Sequence, residues 1–240
     1  MSTLLIGCGT SSDGAGAAGS DTLVMATNAA FPPYEYVENG EYVGIDVEIA
    51  QAIAKELGME LEIKDVEFGS IIAGVESGKF DMGMAGMTVT EERKQSVNFS
   101  NTYATAVQSI IVPEGSAIAS VDDLSSDIKI GVHQDTTGDI YASEEYGDAV
   151  VRYKNGADAV QALVSGKVDC VIIDNEPAKS FVAANTGLQI LDSAYAEEEY
   201  AICVSKDNEE LLGQINEALA KLKADGTIDT IVSKYIPAED

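Results

Sequence analysis

Apolar residues recur at helical spacing through Ile45, Ile49, Ile53 and Leu57, and Gly58 follows directly, which predicts an amphipathic helix with a glycine stop. Leu23 to Thr27 reads as a strand, and Tyr34 to Val43 as a hairpin turning at Asn39-Gly40, a dipeptide that tolerates two left-handed positions. Beyond Gly58 come a strand over Leu61 to Val66, a helix over Ser70 to Ser77 closed by Gly78, and a strand over Asp81 to Ala85. This alternation predicts a parallel α/β sheet. Glu91 to Val97 is expected as a short helix entered through Thr90, with Thr88 and Glu91 spaced as a capping box.

The pattern then repeats. Ser77-Gly78-Lys79-Phe80-Asp81 returns as Ser165-Gly166-Lys167-Val168-Asp169, each copy joining a helix, a glycine stop and a strand. Lys129 to Val132 and Val150 to Tyr153 supply the two strands that precede the second copy. Two lobes of like wiring follow, with Val107 to Val112 leaving the first and Tyr200 to Val204 returning to it. The expected division is a tether over 1–21, lobe 1 over 22–107 plus 201–240, and lobe 2 over 108–200. Helices over Asn208 to Lys223 and Thr227 to Tyr235 complete lobe 1.

Forty-one acidic against 14 basic residues give a net charge of −27, which opposes binding to nucleic-acid phosphates or anionic membrane surfaces. A basic side chain turned into a cleft would stand out against that background as the seat of an anionic group. No apolar run is long enough to span a bilayer. Leu5-Ile6-Gly7-Cys8 resembles a bacterial lipobox and precedes a Gly/Ala/Ser tether, although the seven residues before Cys8 lack the basic region of a working export signal. Cys170 and Cys203 lie in apolar runs of different lobes, and no disulfide between them is expected. One histidine and scattered cysteines give no metal-ligand spacing, and Glu197-Glu198-Glu199 reads as solvated surface.

Ligands of open parallel sheets sit beyond the carboxyl ends of the strands, and the most polar residues of this chain fall there. In lobe 1, Arg93 and Thr88 can grip a carboxylate, or Arg93 can simply pair with a surface glutamate. In lobe 2, Thr136 and Thr137 open a helix whose amides form a second anion seat, or one of them is an ordinary N-cap. Asp174, at a strand end, can receive an ammonium group or cap the next helix. Phe31 and Phe68 offer apolar faces between them, while Tyr34 reads as core. Together these groups specify a zwitterion, and an α-amino acid fits it.

Thr27 to Tyr34, Gly44-Ile45-Asp46, Phe80-Asp81, Gly86 to Arg93, Val97 to Ser100 and Asp225-Gly226-Thr227 resemble the polar amino-acid-binding proteins of ABC importers, over residues 22–237. The resemblance implies the type II periplasmic-binding-protein fold, two α/β lobes joined by two crossing strands, closing on a free amino acid and docking on a permease. It places Gly86, Thr88 and Arg93 at the carboxylate and ammonium contacts of lobe 1, Thr137 at the second-lobe carboxylate contact, Asp174 at the ammonium acceptor, and Phe31 and Phe68 at an aromatic sandwich. Asn28 stands where the family often has an Asp that meets the ligand side chain, and His133 holds another specificity position. A neutral amide at 28 weighs against a strongly cationic ligand, and neutral polar or acidic side chains stay open.

The expected function is therefore capture without catalysis, cofactor or metal, by a monomer held outside the cell membrane through a lipidated Cys8 in its native precursor. Two alternatives share the fold. Catalysis needs a positioned acid or base, and the resemblance implies that dehydratases of this fold carry a carboxylic acid at the place held here by Pro177, from which Glu176 is offset by one residue. An amino-acid sensor domain is disfavoured by the lipobox-like Cys8 and by the absence of a membrane span after lobe 1.

Overall fold

The hydrophobic periods build two sheets on one plan. The computed structural model describes residues 22–237, so the tether and Cys8 lie outside the described residues. The first stretch runs β1 (Thr22–Thr27), β2 (Ala30–Phe31), β3 (Glu35–Glu38), β4 (Glu41–Val43), α1 (Ile45–Leu57), β5 (Glu60–Asp65), α2 (Ile71–Glu76), β6 (Met82–Gly83) and β7 (Val97–Phe99). Asn39 (φ 53°) and Gly40 (φ 87°) make the hairpin turn between β3 and β4. Ile45, Ile49 and Ile53 are fully buried under α1, and Gly58 ends it in the left-handed region.

The second stretch runs β8 (Ala104–Pro113), β9 (Ile130–His133), α3 (Thr137–Tyr146), β10 (Val150–Tyr153), α4 (Gly156–Val164), β11 (Cys170–Asp174), α5 (Asn175–Ala184), β12 (Leu188–Ile190) and β13 (Ala196–Tyr200). The chain then returns through β14 (Cys203–Ser205) to α6 (Glu209–Ala224) and α7 (Thr227–Tyr235), which pack with α1. The first lobe's main sheet has the order β5-β1-β6-β14-β7, the second lobe's sheet β10-β9-β11-β8-β12 with β13 also on β8, and β2-β3-β4 form a third, three-stranded sheet. In the first, β1, β5 and β6 are parallel and the returning β14 is antiparallel to β6; in the second, β9, β10 and β11 are parallel and the entering β8 is antiparallel to β11. The second sheet takes up the chain at Ala104, opposite Tyr200. Between the sheets the two crossings bond to each other, Ser100 N–H to Ile202 O at 2.9 Å and Tyr103 N–H to Tyr200 O at 3.0 Å.

The repeated Ser-Gly-Lys-x-Asp segment has the same job twice. Gly78 (φ 73°) and Gly166 (φ 68°) each follow the end of a helix, and the aspartate three residues on, just before the next strand, anchors the neighbouring parallel strand. Asp81 Oδ2 accepts from Val24 N–H at 2.7 Å, and Asp169 Oδ2 from Lys129 N–H at 2.7 Å. Cys170 and Cys203 are free and buried, each in its own sheet.

The helix expected at Glu91 to Val97 does not form. Arg93–Gln95 is a single 3-10 turn, and Val97 to Phe99 is edge strand β7, paired with Ser205 to Cys203. Thr90 does cap the turn, its Oγ accepting from Arg93 N–H at 3.1 Å. However, Thr88 turns its hydroxyl to Glu198 and Glu91 pairs with Lys94, so there is no capping box, and sheet pairing of the apolar Val97/Phe99 face overrides helical propensity.

Gly44 introduces α1 at φ 125°, and a Cβ there would lie 2.2 Å from Tyr34 O. That contact is with backbone, so the neighbour cannot rotate away. Gly44→Ala is expected to destabilise the ligand-free protein by about 2 kcal/mol or more and to lower Tm by about 5 °C or more. Thermal unfolding followed by circular dichroism checks it; an unchanged Tm would contradict the clash.

Candidate functional site

Where the carboxyl ends of the parallel strands face each other, a narrow cavity lies between the two lobes. All ten residues singled out in the sequence line it: Asn28, Phe31, Phe68, Gly86, Thr88 and Arg93 from the first lobe, and His133, Thr136, Thr137 and Asp174 from the second. Two more join them, Glu35 and Ala85.

Arg93 is 7% exposed. Its Nη1 donates to Thr88 O at 2.8 Å and its Nη2 to Asp135 O, across the lobe boundary, at 3.2 Å. The Phe68 ring lies 5.2 Å from the guanidinium carbon, a cation–π contact. No salt bridge to Arg93 occurs among the described residues, so it is not the partner of a surface glutamate. Burial lowers its pKa, opposed first by the charge of Glu198. A guanidinium has five donors and cannot deprotonate in a protein, so donors remain for an anion.

Across the cavity, Thr136 occupies the N-cap position of α3 but gives its hydroxyl to His133 O at 2.7 Å. It is therefore not a side-chain cap, and the first-turn amides keep their capacity for an acceptor. Thr137 Oγ1 lies 3.4 Å from Thr88 Oγ1, one hydroxyl from each lobe.

Asp174 ends β11 at the N-cap position of α5, again without a side-chain cap. Its Oδ2 accepts from Gln108 Nε2 at 2.8 Å and its Oδ1 accepts a short bond from Tyr200 Oη. Burial, then the charge of Glu198, raise its pKa to about 7, against the pull of the Tyr200 and Gln108 bonds. Arg93 and Asp174 thus present charges of opposite sign to one enclosed space.

The remaining wall is rich in acceptors. Asn28, which lines the cavity, spends its Nδ2 on Val66 O at 2.8 Å, and its Oδ1 is buried without a partner. Glu35 is 1% exposed and its Oε2 is likewise unpartnered. Burial and the neighbouring Asp46 raise the Glu35 pKa well above the ordinary carboxyl range. Neither ring nitrogen of His133 meets a partner of hydrogen-bonding geometry, and burial pushes its pKa down to about 4, so the imidazole is neutral. Phe31 and Phe68 form apolar walls, Phe31 stacked on Tyr34 and Phe68 edge-on to His133. Tyr34 packs into the core beside Tyr200 and does not line the cavity. At Gly86 (φ 52°) a Cβ would meet the Phe31 ring at 3.0 Å, and its amide is fixed by Asp46 Oδ2 at 2.8 Å.

The match of residues 23–238 to the bacterial extracellular solute-binding proteins of family 3 decides the kinship. The chain belongs to that family. It is 34% identical over 240 aligned residues to the arginine-binding extracellular protein ArtP of Bacillus subtilis, covering 98% of this chain and 93% of the relative. It is 36% identical over 208 residues to the ABC transporter glutamine-binding protein GlnH of the same organism, covering 84% and 76%. Among solved structures, an ancestral arginine-binding protein bound to glutamine superposes with a TM-score of 0.86 at 41% identity, covering 90% of this chain and 98% of that one. The arginine-, lysine-, histidine-binding protein ArtJ of Geobacillus stearothermophilus gives 0.86 at 34%, covering 92% and 97%. These matches carry the type II periplasmic-binding-protein fold with two α/β lobes and two crossings.

Four residues of this family 3 chain escaped the sequence reading. Glu35 was hidden in a hairpin arm that reads as surface. Gln108 carried a signal, a lone amide inside the apolar run Val107 to Val112, and it is 1% exposed. Tyr200 carries no local mark beyond its place in the returning crossing. Glu198 corrects the reading of Glu197-Glu198-Glu199 as solvated: strand alternation in β13 turns the middle carboxylate inward while its neighbours face solvent. Glu176, the acid nearest to a dehydratase's position, pairs with Lys179 and does not line the cavity.

Proposed function

We propose that this protein captures a free α-amino acid whose side chain ends in N–H donors, arginine first and glutamine second, and delivers it to an ABC importer. The single observation that supports this best is the enclosed pair Arg93 and Asp174 with three acceptors, Asn28 Oδ1, Glu35 Oε2 and His133, at the far wall. Arg93 and the first turn of α3 take the carboxylate, Asp174 the ammonium, and Phe31 and Phe68 flank the aliphatic stem. Glu35 supplies the carboxyl that Asn28 lacks, and a cationic terminus is favoured because it can displace the proton that the raised pKa of Glu35 retains. Relatives named for arginine and for glutamine support the same ligand class.

The two lobes, 22–107 plus 201–240 and 108–200, close on the ligand as a monomer and do no chemistry on it. The precursor is exported and held to the outer face of the membrane through Cys8. Calorimetric titration against the twenty amino acids tests the reading: arginine is expected to bind most tightly, and no heat with any of them would overturn it. In Glu35→Gln, arginine affinity is expected to fall about 10- to 100-fold while glutamine changes little, because only the guanidinium loses an ionic partner. Equal losses for both ligands would place Glu35 outside the specificity wall.

A further inference from the structure

Glu198 has no place in the binding scheme so far, yet it is 7% exposed on β13 and lies beside the head-group machinery. Its Oε2 receives Thr88 Oγ1 at 3.0 Å and Gln108 Nε2 at 3.1 Å, and the same Gln108 amide donates to Asp174 Oδ2 at 2.8 Å. The Gln108 amide therefore ties two buried carboxylates together. The Thr88 segment is itself bound to the return crossing, Val89 N–H to Glu199 O at 3.0 Å and Ala201 N–H to Met87 O at 3.1 Å. Thr88 and Glu198 thus belong to one rigid piece.

A hydroxyl has one proton and two lone pairs. Once Thr88 gives its proton to Glu198, Oγ1 can only accept, from the Thr137 hydroxyl at 3.4 Å and, through its other lone pair, from a ligand. An acceptor at that point serves an ammonium and not a carboxylate. Resting on the amino-acid-binding reading of this cavity, we propose that Glu198 is a positioning residue for ammonium recognition: it fixes Thr88 as an acceptor and, through Gln108, holds Asp174 toward the same ligand group. The ammonium then meets Asp174 directly and Glu198 by way of Thr88. Its selectivity for amino over desamino compounds comes from both carboxylates.

The test titrates L-arginine and its desamino analogue 5-guanidinopentanoate into the wild type, Glu198→Gln, Thr88→Val and the double variant, with the weaker ligand read by displacement. Glu198→Gln is expected to lose about 10-fold or more in arginine affinity while the analogue changes little, because a charge-assisted acceptor becomes a neutral one. In the Thr88→Val background the same change is expected to lose far less, since the two residues act as a unit. Unchanged arginine affinity, an equal loss for the analogue, or additive losses in the double variant would each overturn the assignment. Should Glu198→Gln fail to fold, Glu198→Asp is put through the same pair of ligands, and an equal loss for both is again fatal. A wild type that binds no amino acid would instead strike at the proposed function, so the two failures are distinguishable.

Discussion

Arg93→Ala is expected to abolish measurable capture of any free amino acid, with affinity falling at least about 100-fold, because truncating one partner of a buried, hydrogen-bonded charge pair removes about 3 kcal/mol or more of binding. The guanidinium is held in place before any ligand arrives, by Thr88 O and Asp135 O and by the face of Phe68. Its fork is thereby oriented at no further entropic cost on binding. Arg93→Lys keeps the charge and loses the planar fork, so an intermediate loss is expected. Titration of both variants, with circular dichroism to show that they fold, checks the order. An alanine variant that binds arginine as the wild type does would move the carboxylate seat elsewhere.

Much of this site was legible because it sits where strands stop. A strand end, a turn and a helix start are each marked by short polar residues, and Thr88, Thr136, Thr137 and Asp174 carry that mark. The internal echo was legible for a related reason. A glycine at positive φ and an aspartate that caps a neighbouring strand are local requirements, and both copies of the unit meet them. What stayed hidden depends on contacts distant in sequence. Gln108, Glu198 and Tyr200 reach the site only because β8 and β13 pair antiparallel as they cross, and no local pattern sets that register. The failed helix at Glu91 to Val97 has the same origin, since its apolar residues answer to β14, more than a hundred positions away.

The acceptor wall also changes the ligand expected from the sequence. Asn28 alone argued for a neutral partner, whereas Glu35, brought in by the hairpin, restores a carboxyl. Glu35 and Asp46 are buried against each other, and both pKa values are raised, that of Asp46 to about 6. A cationic ligand is then expected to drive a proton off this pair, and a neutral one is not.

That difference allows the ammonium acceptor to be isolated, and the largest pH effect is expected there. With glutamine as the probe, affinity is expected to rise with pH up to about 7 and then level off, because Asp174 titrates near 7 in the ligand-free protein and only its ionised form makes an ion pair with the ammonium. Well below that point the loss approaches tenfold per pH unit. Stability has the opposite sign. A carboxyl whose folded pKa is raised binds more protons folded than unfolded, so the ligand-free protein loses stability as pH rises from about 4 to about 7. Asp174→Asn should therefore raise Tm of the ligand-free protein at pH 8 more than at pH 5, flatten the pH profile of glutamine binding, and lower affinity at pH 8 at least about 30-fold. Melting curves at the two pH values and titrations across them check all three. A variant whose glutamine affinity still climbs through pH 7 would show that another group, and not Asp174, receives the ammonium. Burial of an ionisable acid against a second carboxylate is unfavourable to the empty fold and becomes favourable only when a cation completes it, which ties the stability of the closed state to the ligand.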